Sequence, residues 1–216
     1  MATGTKKRII ETSLTLFNEL GFGNVTTARL AEALGISEGN LWYHFRTKTD
    51  LVSVHQNALF DLIDRRFEEI ETIDNVLEAF IIFNRRMVEE MITYQYLYRD
   101  APDYRTEDET ENEHRIISVY NQTTAQVEAF FSDMIKQNHL DMDPSSLPIL
   151  ADNLWMVVRY WPAFLRETHG TIAMDQTAIE LGMRHHFALF EHALSTEART
   201  YFDQVMNPTT SAATSS

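Results

Sequence analysis

Apolar residues recur along this chain with a helical spacing, and almost nothing interrupts the pattern. In KKRIIETSLTLFNELGFG, Ile10, Leu14 and Phe17 stand at i, i+4 and i+7, with Leu20 at i+10, so they share one face of a helix. Only 7 glycines and 5 prolines occur among 216 residues, and no stretch alternates with period two for long. The chain is therefore expected to be all-α, with next to no β-sheet.

The glycines and caps divide the opening segment into short helices. Gly21 supplies a stop after the first. Thr26 is a plausible N-cap for a second of about two turns, with Leu30, Ala31 and Leu34 as its inner stripe and Gly35 as its left-handed stop. Ser37 can cap a third through His44, with Leu41 and Phe45 four apart on its inner side. Thr47 and Asp50 then match a capping box that opens a long helix whose stripe is Leu51, Val54, Leu59, Leu62, Ile63, Phe67 and Ile70. Two-turn helices melt in isolation, so the first three must support one another. Two short helices joined by a glycine-containing turn after a supporting helix describe a helix-turn-helix, whose second helix enters the major groove of DNA.

The charge distribution permits that reading. The formal net charge is -14, but residues 1 to 55 carry six Lys/Arg against five Asp/Glu, a net of +1, and the remainder carries -15. Only the field within a Debye length of ~8 Å bears on a phosphate contact, so the acidity of the body does not exclude DNA. With Leu41 and Phe45 turned inward, Glu38, Gly39, Asn40, Tyr43 and His44 face outward and Trp42 lies at the margin. Asn40 can pair bidentately with adenine, Gly39 allows close backbone approach, and Tyr43 and His44 can reach phosphates or base edges. Lys48 suits a phosphate. Glu38 suits the helix dipole but repels phosphate, unless it accepts from a cytosine amine.

The run TTARLAEALGISEGNLWYHFRTKTDL resembles the DNA-binding signature of TetR-family transcriptional regulators, with a match from Lys6 to about Val52. The resemblance implies an all-helical fold, a homodimer on a double-stranded DNA operator, a larger C-terminal ligand-binding and dimerisation bundle, and repression relieved by a small molecule. Carried over by position, the family's DNA contacts fall on Thr26, Thr27, Ser37, Gly39, Asn40, Trp42, Tyr43, His44 and Lys48. Trp42 departs from the family's usual Tyr; it loses a hydroxyl and keeps an indole N–H donor. The expected domains are 1–50, the helix-turn-helix head, 51–206, the ligand-binding and dimerisation body, and a disordered tail, 207–216.

Further helices are expected over 75–98, 109–138, 146–168 and 175–205, with breaks at Pro102, around Pro144 and Pro148, and at Gly170. The body is rich in Met and aromatic residues, most of which are core by their spacing. Some can line an apolar pocket, and Phe83, Met87, Met91, Phe130, Met134, Trp155, Arg159 and Trp161 are the ligand-binding candidates. In NLWMVVRYWPAFLRE, Pro162 should kink the helix. Arg159 could meet a ligand carboxylate or phosphate, or serve a structural salt bridge. YQYLYRDAPDY followed by EDETENEH is similar to a TetR subgroup linked to fatty-acid and polyalkanoate metabolism, which implies an acyl or acyl-CoA type inducer.

With zero cysteines there is no thiolate metal site or disulfide. The acidic run Glu107 to Glu113 reads as a solvated surface, and His185 and His192, seven apart, lack the further ligands that a metal needs. No nucleophile motif, phosphate loop or glycine fingerprint occurs, so neither an enzyme nor a cofactor is expected. No signal peptide and no run of ~18 apolar residues is present, which leads to the expectation of a cytoplasmic protein away from membranes. The alternative from another class is a helical lipid carrier or adaptor without specific DNA binding.

Overall fold

The computed structural model describes residues 2–104, 110–169 and 176–206. Among these residues every regular element is a helix, and the one β-bridge joins Leu140 to Leu194. Among the described residues no helix is long and apolar enough to cross a membrane. The tail 207–216, the break at Gly170 and Glu107 to Glu109 of the acidic run lie outside the described residues.

The chain forms two compact units, residues 1–64 with 93–110, and 65–92 with 111–216. The first holds α1 (Ala2–Leu20), α2 (Thr27–Leu34), α3 (Glu38–His44) and the greater part of α4 (Lys48–Ile70), together with α6 (Gln95–Arg99) and α7 (Ala101–Tyr104). Sequence alone places a domain boundary at residue 50; the compact units divide instead within α4, after Asp64. They also return a segment from the middle of the chain to the head.

The helix ends are built as their residues dictate. Thr26 accepts from the Arg29 amide and Ser37 from the Asn40 amide. Gly35, at φ 66°, takes the left-handed conformation that ends α2, and Gly21, at φ 90°, does the same after α1. At Thr47 and Asp50 the capping box closes both ways, the Thr47 amide donating to Asp50 and the Asp50 amide to the Thr47 hydroxyl. Ile9, Phe17, Val25, Leu30, Leu34, Leu41, Phe45 and Leu51 fill the core beneath.

The helix expected over 75–98 breaks at Tyr94, between α5 (Val76–Thr93) and α6. The reason is a distant partner: the Asn18 amide group donates to the Thr93 carbonyl and its oxygen accepts the Tyr96 N–H. Arg99 then donates to the Phe17 and Asn18 carbonyls at the end of α1, and Asp100 accepts the Phe22 N–H. Arg99 thus reaches the carbonyls of the last turn of α1, the Phe17 carbonyl taking it as a second donor beside the Gly21 N–H.

The second unit packs α5, α8 (Thr110–Lys136), α9 (Leu147–His169), α10 (Gln176–Ala188) and α11 (Thr196–Met206) around one aromatic core. Phe80 meets Phe130, Phe131, Phe190 and Phe202 at ring separations of 5.3 to 6.0 Å. α9 runs on through Pro162, presenting Leu154, Val158, Trp161 and Leu165 to the core. Gly182 admits α10 against it: a Cβ there would lie 2.8 Å from Trp161 Nε1, which donates to the Ala178 carbonyl. The single helix expected over 175–205 is interrupted, because the Ala193 carbonyl and Ser195 N–H pair with Asp141 and His139 of the α8–α9 connection.

Two buried histidines set an acid limit. His55 Nε2 lies 3.0 Å from the Ile10 carbonyl and must donate, so Nδ1 accepts from the Tyr96 hydroxyl at 2.6 Å. Burial lowers His55 from 6.5 to about 4, and burial with His185 nearby lowers His186 to about 3. The folded state thus prefers both rings neutral, so their contribution is complete above pH 6.5 and is lost as the pH falls toward 4, at ~1.4 kcal/mol per pH unit for each. Glu90 acts oppositely between its ordinary value and about 7, since burial raises its carboxyl. Thermal melting is expected to peak near pH 6.5 to 7 and to fall below it. His55→Gln should remove about one proton from the slope between pH 6 and 4.5; an unchanged slope would count against the assignment.

Candidate nucleic-acid interface

α3 is held by its inner side and offers its outer side whole. Leu41 and Phe45 are buried, while Glu38, Gly39, Asn40, Trp42 and Tyr43 are exposed and His44 is half-buried. Tyr43 is 81% exposed, its ring 5.2 Å from that of His44 in an edge contact. A tyrosine so open contributes little to the core, and its phenol is available to a partner. Trp42, 42% exposed, leans into a small space lined by Thr27, Leu30, Leu41, Phe45, Thr47, Lys48 and Leu51. Half of it is therefore an anchor and half a contact surface.

The other positions carried over from the resemblance divide by role. The Thr26 and Ser37 side chains are spent on helix caps, which fix α2 and α3. The Thr27 hydroxyl donates to Glu38 Oε2 at 3.1 Å, tying the start of α2 to the start of α3. Lys48 does more than a surface phosphate contact requires. Its ammonium donates to the Phe22 carbonyl at 2.6 Å and the Val25 carbonyl at 2.9 Å, and sits 3.9 Å from the Phe22 ring centroid. Burial there lowers its pKa, with Asp103 pulling the other way. One of its three N–H donors remains for a phosphate. Lys48→Ala is accordingly expected to destabilise the head by ~1 to 3 kcal/mol as well as weaken any DNA contact, since the Val25 carbonyl loses its donor and the Phe22 carbonyl keeps only the long bond from the Val25 N–H. A melting temperature equal to that of the unsubstituted protein would refute this double role.

Sequence reading passed over Lys6 and Arg46, although both are exposed cations beside α3: Lys6 Nζ is 5.7 Å from the Phe45 ring centroid, and Arg46 follows that residue directly. The visible signal was their place among the six Lys/Arg that make the first 55 residues net +1 in an acidic chain.

The eight residues proposed for a ligand pocket are not brought together. Phe83, Met87, Met91, Phe130, Met134 and Trp161 are buried, with Phe83 and Phe130 in ring contact at 5.4 Å. Trp155 and Arg159 fall on a different side of α9, Trp155 against Tyr120 at 5.6 Å and Arg159 at 5.5 Å from the Tyr160 ring centroid. The 3.6-residue period turns both away from the buried stripe. An open groove of about 650 Å³ in this unit is lined by Ile135, Leu140, Met142 and Leu194 among others, and by none of the eight.

What the sequence reading missed in the second unit is a buried ion pair. Arg66 donates to Glu90 Oε2 at 2.7 Å and to the Thr123 hydroxyl at 3.0 Å, and its guanidinium stands 4.5 Å from the Phe83 ring centroid. Burial pushes the Glu90 carboxyl up to about 7 while Arg66 pulls it down. The signal was present: Leu59, Ile63, Arg66 and Ile70 share one helical face, so the arginine occupies a core position in an apolar stripe.

Comparison with known proteins matches residues 9–54 to a model described as bacterial regulatory proteins of the tetR family, and residues 61–202 to one described as a bacterial transcriptional repressor. The class A tetracycline repressor from transposon 1721 of Escherichia coli is 32% identical over 93 residues, which is 43% of this chain and 41% of that protein. The chain thus matches about two fifths of that relative's length. A TetR-family regulator from Marinobacter aquaeolei VT8 superposes with a TM-score of 0.76 at 24% identity, covering 94% of this chain and 97% of its own. AibR, solved in complex with isovaleryl coenzyme A and operator DNA, superposes with a TM-score of 0.59 at 16% identity, covering 82% and 96%. Both likenesses are of fold.

Proposed function

The chain belongs to the TetR family of bacterial transcriptional regulators, and on that premise we propose that it is a ligand-responsive repressor that binds a pseudo-palindromic operator as a homodimer. Members of this family are DNA-binding regulators rather than enzymes. The observation that carries the proposal is the outer face of α3, where Gly39, Asn40, Trp42 and Tyr43 stand open on a helix fixed by caps and core. Of the residues carried over, Asn40, Tyr43 and His44 are proposed to touch bases or phosphates, with Lys48 at a phosphate.

A stripe on α9 supports the dimer. Ile149, Met156, Tyr160 and Phe164 are exposed, at 66, 50, 64 and 45%, although all are large and apolar, and Leu181 of α10 is exposed as well. An apolar row of this kind calls for a partner, and a second copy meeting it about a two-fold axis makes a self-complementary interface. Such a dimer would offer two α3 helices to half-sites one DNA turn, ~34 to 36 Å, apart. Tyr160→Glu with Phe164→Glu is expected to yield a monomer in sedimentation and to lose operator binding; a dimer in that variant would refute the interface.

For the inducer, the reading is a lipophilic small molecule of acyl or acyl-CoA type. It is supported by the Met and aromatic content of the second unit and by the isovaleryl coenzyme A bound to AibR. Selection from random DNA should return a palindrome bound less tightly as salt rises, with a log-log slope of about -0.9 per phosphate contact. Short-chain to long-chain acyl-CoAs should release it. A protein that enriches no DNA motif would overturn the regulator reading, and one released by none of these compounds would overturn the acyl reading alone.

A further inference from the structure

Glu38 is an exposed acid on the face that the proposed function turns toward a polyanion. Among the described residues no Lys, Arg or His pairs with it; its partner is the Thr27 hydroxyl, which donates at 3.1 Å. Left as a bare charge it would oppose binding at every sequence alike. Its place at the start of α3, next to Gly39 and Asn40, is where a recognition helix meets base edges. The Thr27 hydroxyl donates its only proton to Oε2, which restrains the carboxylate and leaves Oε1 to accept.

We infer that Glu38, positioned by Thr27, reads cytosine in the major groove. An ionised carboxylate can only accept, so it is repelled by the O6 and N7 of guanine and by the O4 of thymine. Two bases present an amine there, cytosine through N4 and adenine through N6. Adenine sets its N7 acceptor beside that amine, where it faces the second carboxylate oxygen, whereas cytosine sets only a C–H beside N4. The carboxylate therefore prefers cytosine to adenine as well. In a two-fold dimer the same C·G pair recurs at mirrored positions of the two half-sites. The acid costs affinity on other DNA and little at its own site, so it sharpens discrimination rather than raising affinity.

This inference rests on the DNA-binding reading, and selection of bound sequences from random duplex DNA by the full chain separates the two. The unsubstituted protein should enrich a palindrome with cytosine at one fixed position of each half-site. Glu38→Gln should turn that position to adenine, because a glutamine amide pairs bidentately with adenine N6 and N7, and leave the rest of the motif unchanged. Glu38→Ala should make it degenerate, with a loss of about tenfold or more in preference at that pair. Thr27→Val should weaken the cytosine preference and Thr27→Ser should keep it, a result that a merely structural threonine would not give. A motif whose every position survives Glu38→Ala and Glu38→Gln overturns the inference and leaves the regulator standing. No motif from the unsubstituted protein overturns both.

Discussion

Tyr43→Ala is expected to abolish useful binding to the selected operator while the protein melts at its original temperature. The ring is 81% exposed, so its loss removes little packing, and surface changes of this kind stay within about 0.5 kcal/mol of stability. In the proposed complex with DNA the same ring would lie at the centre of the outward face of α3. If it supplies ~1 to 3 kcal/mol of contact in each half-site, the dimer loses twice that, or roughly thirtyfold in affinity at the lower bound. Mobility-shift titration at fixed salt beside a thermal melt separates the two effects. Specific affinity retained within a factor of two would remove Tyr43 from the interface, and a lowered melting temperature would recast it as a structural residue. Asn40→Ala should lose less, and mainly at one base, because an amide reads an edge whereas a phenol spans base and backbone.

Arg66→Met is expected to destabilise the second unit more than any surface change. It removes one partner of a pair whose side chains are 1% and 5% exposed, leaving the Glu90 carboxylate and the Thr123 hydroxyl without their donor. Breaking a buried pair from one side costs about 3 to 5 kcal/mol, which in a protein of this size lowers the melting temperature by roughly 10 °C. The double change Arg66→Met with Glu90→Met should recover most of that loss, since it removes the stranded charge and fills the space with apolar volume. Chemical denaturation of these two variants and of Glu90→Met, beside the unsubstituted protein, closes the cycle. A single variant within 1 kcal/mol of the unsubstituted protein would show that the pair is solvated and structurally idle. Glu90 gives a second readout: in Arg66→Met its carboxyl, still buried and no longer pulled down by the guanidinium, should rise further above the ordinary carboxylate range.

Local chemistry made the head legible. The caps at Thr26 and Ser37, the left-handed glycines at 21 and 35 and the reciprocal bonds of Thr47 and Asp50 all act over four residues or fewer, so the sequence shows both partners at once. The inward turn of Leu41 and the outward turn of Tyr43 follow from helical period, and Phe45 continues the inner side as the extended residue that ends α3. The overall helical class follows in the same way from apolar spacing.

Other features depend on residues far apart in the chain, and their sequence carries no mark of the pairing. Lys48 reads as a free phosphate ligand until the fold brings the Phe22 and Val25 carbonyls to it, 26 and 23 positions away. The break at Tyr94 needs Asn18, 78 positions before Tyr96, and the interruption after Ala188 needs the backbone of residues 139–141. Trp155 and Arg159 looked like members of one apolar set with Trp161, but they stand six and two residues before it, offsets that turn them to a different side of the helix once the neighbouring helices decide which side is core. By itself the sequence determined that the chain is helical, where the short helices of the head stop and which face of α3 is open, because those are contests between neighbours. Only the tertiary structure decided which polar groups are committed to one another, because a hydrogen bond across dozens of residues depends on where the packing of the whole unit places its two ends.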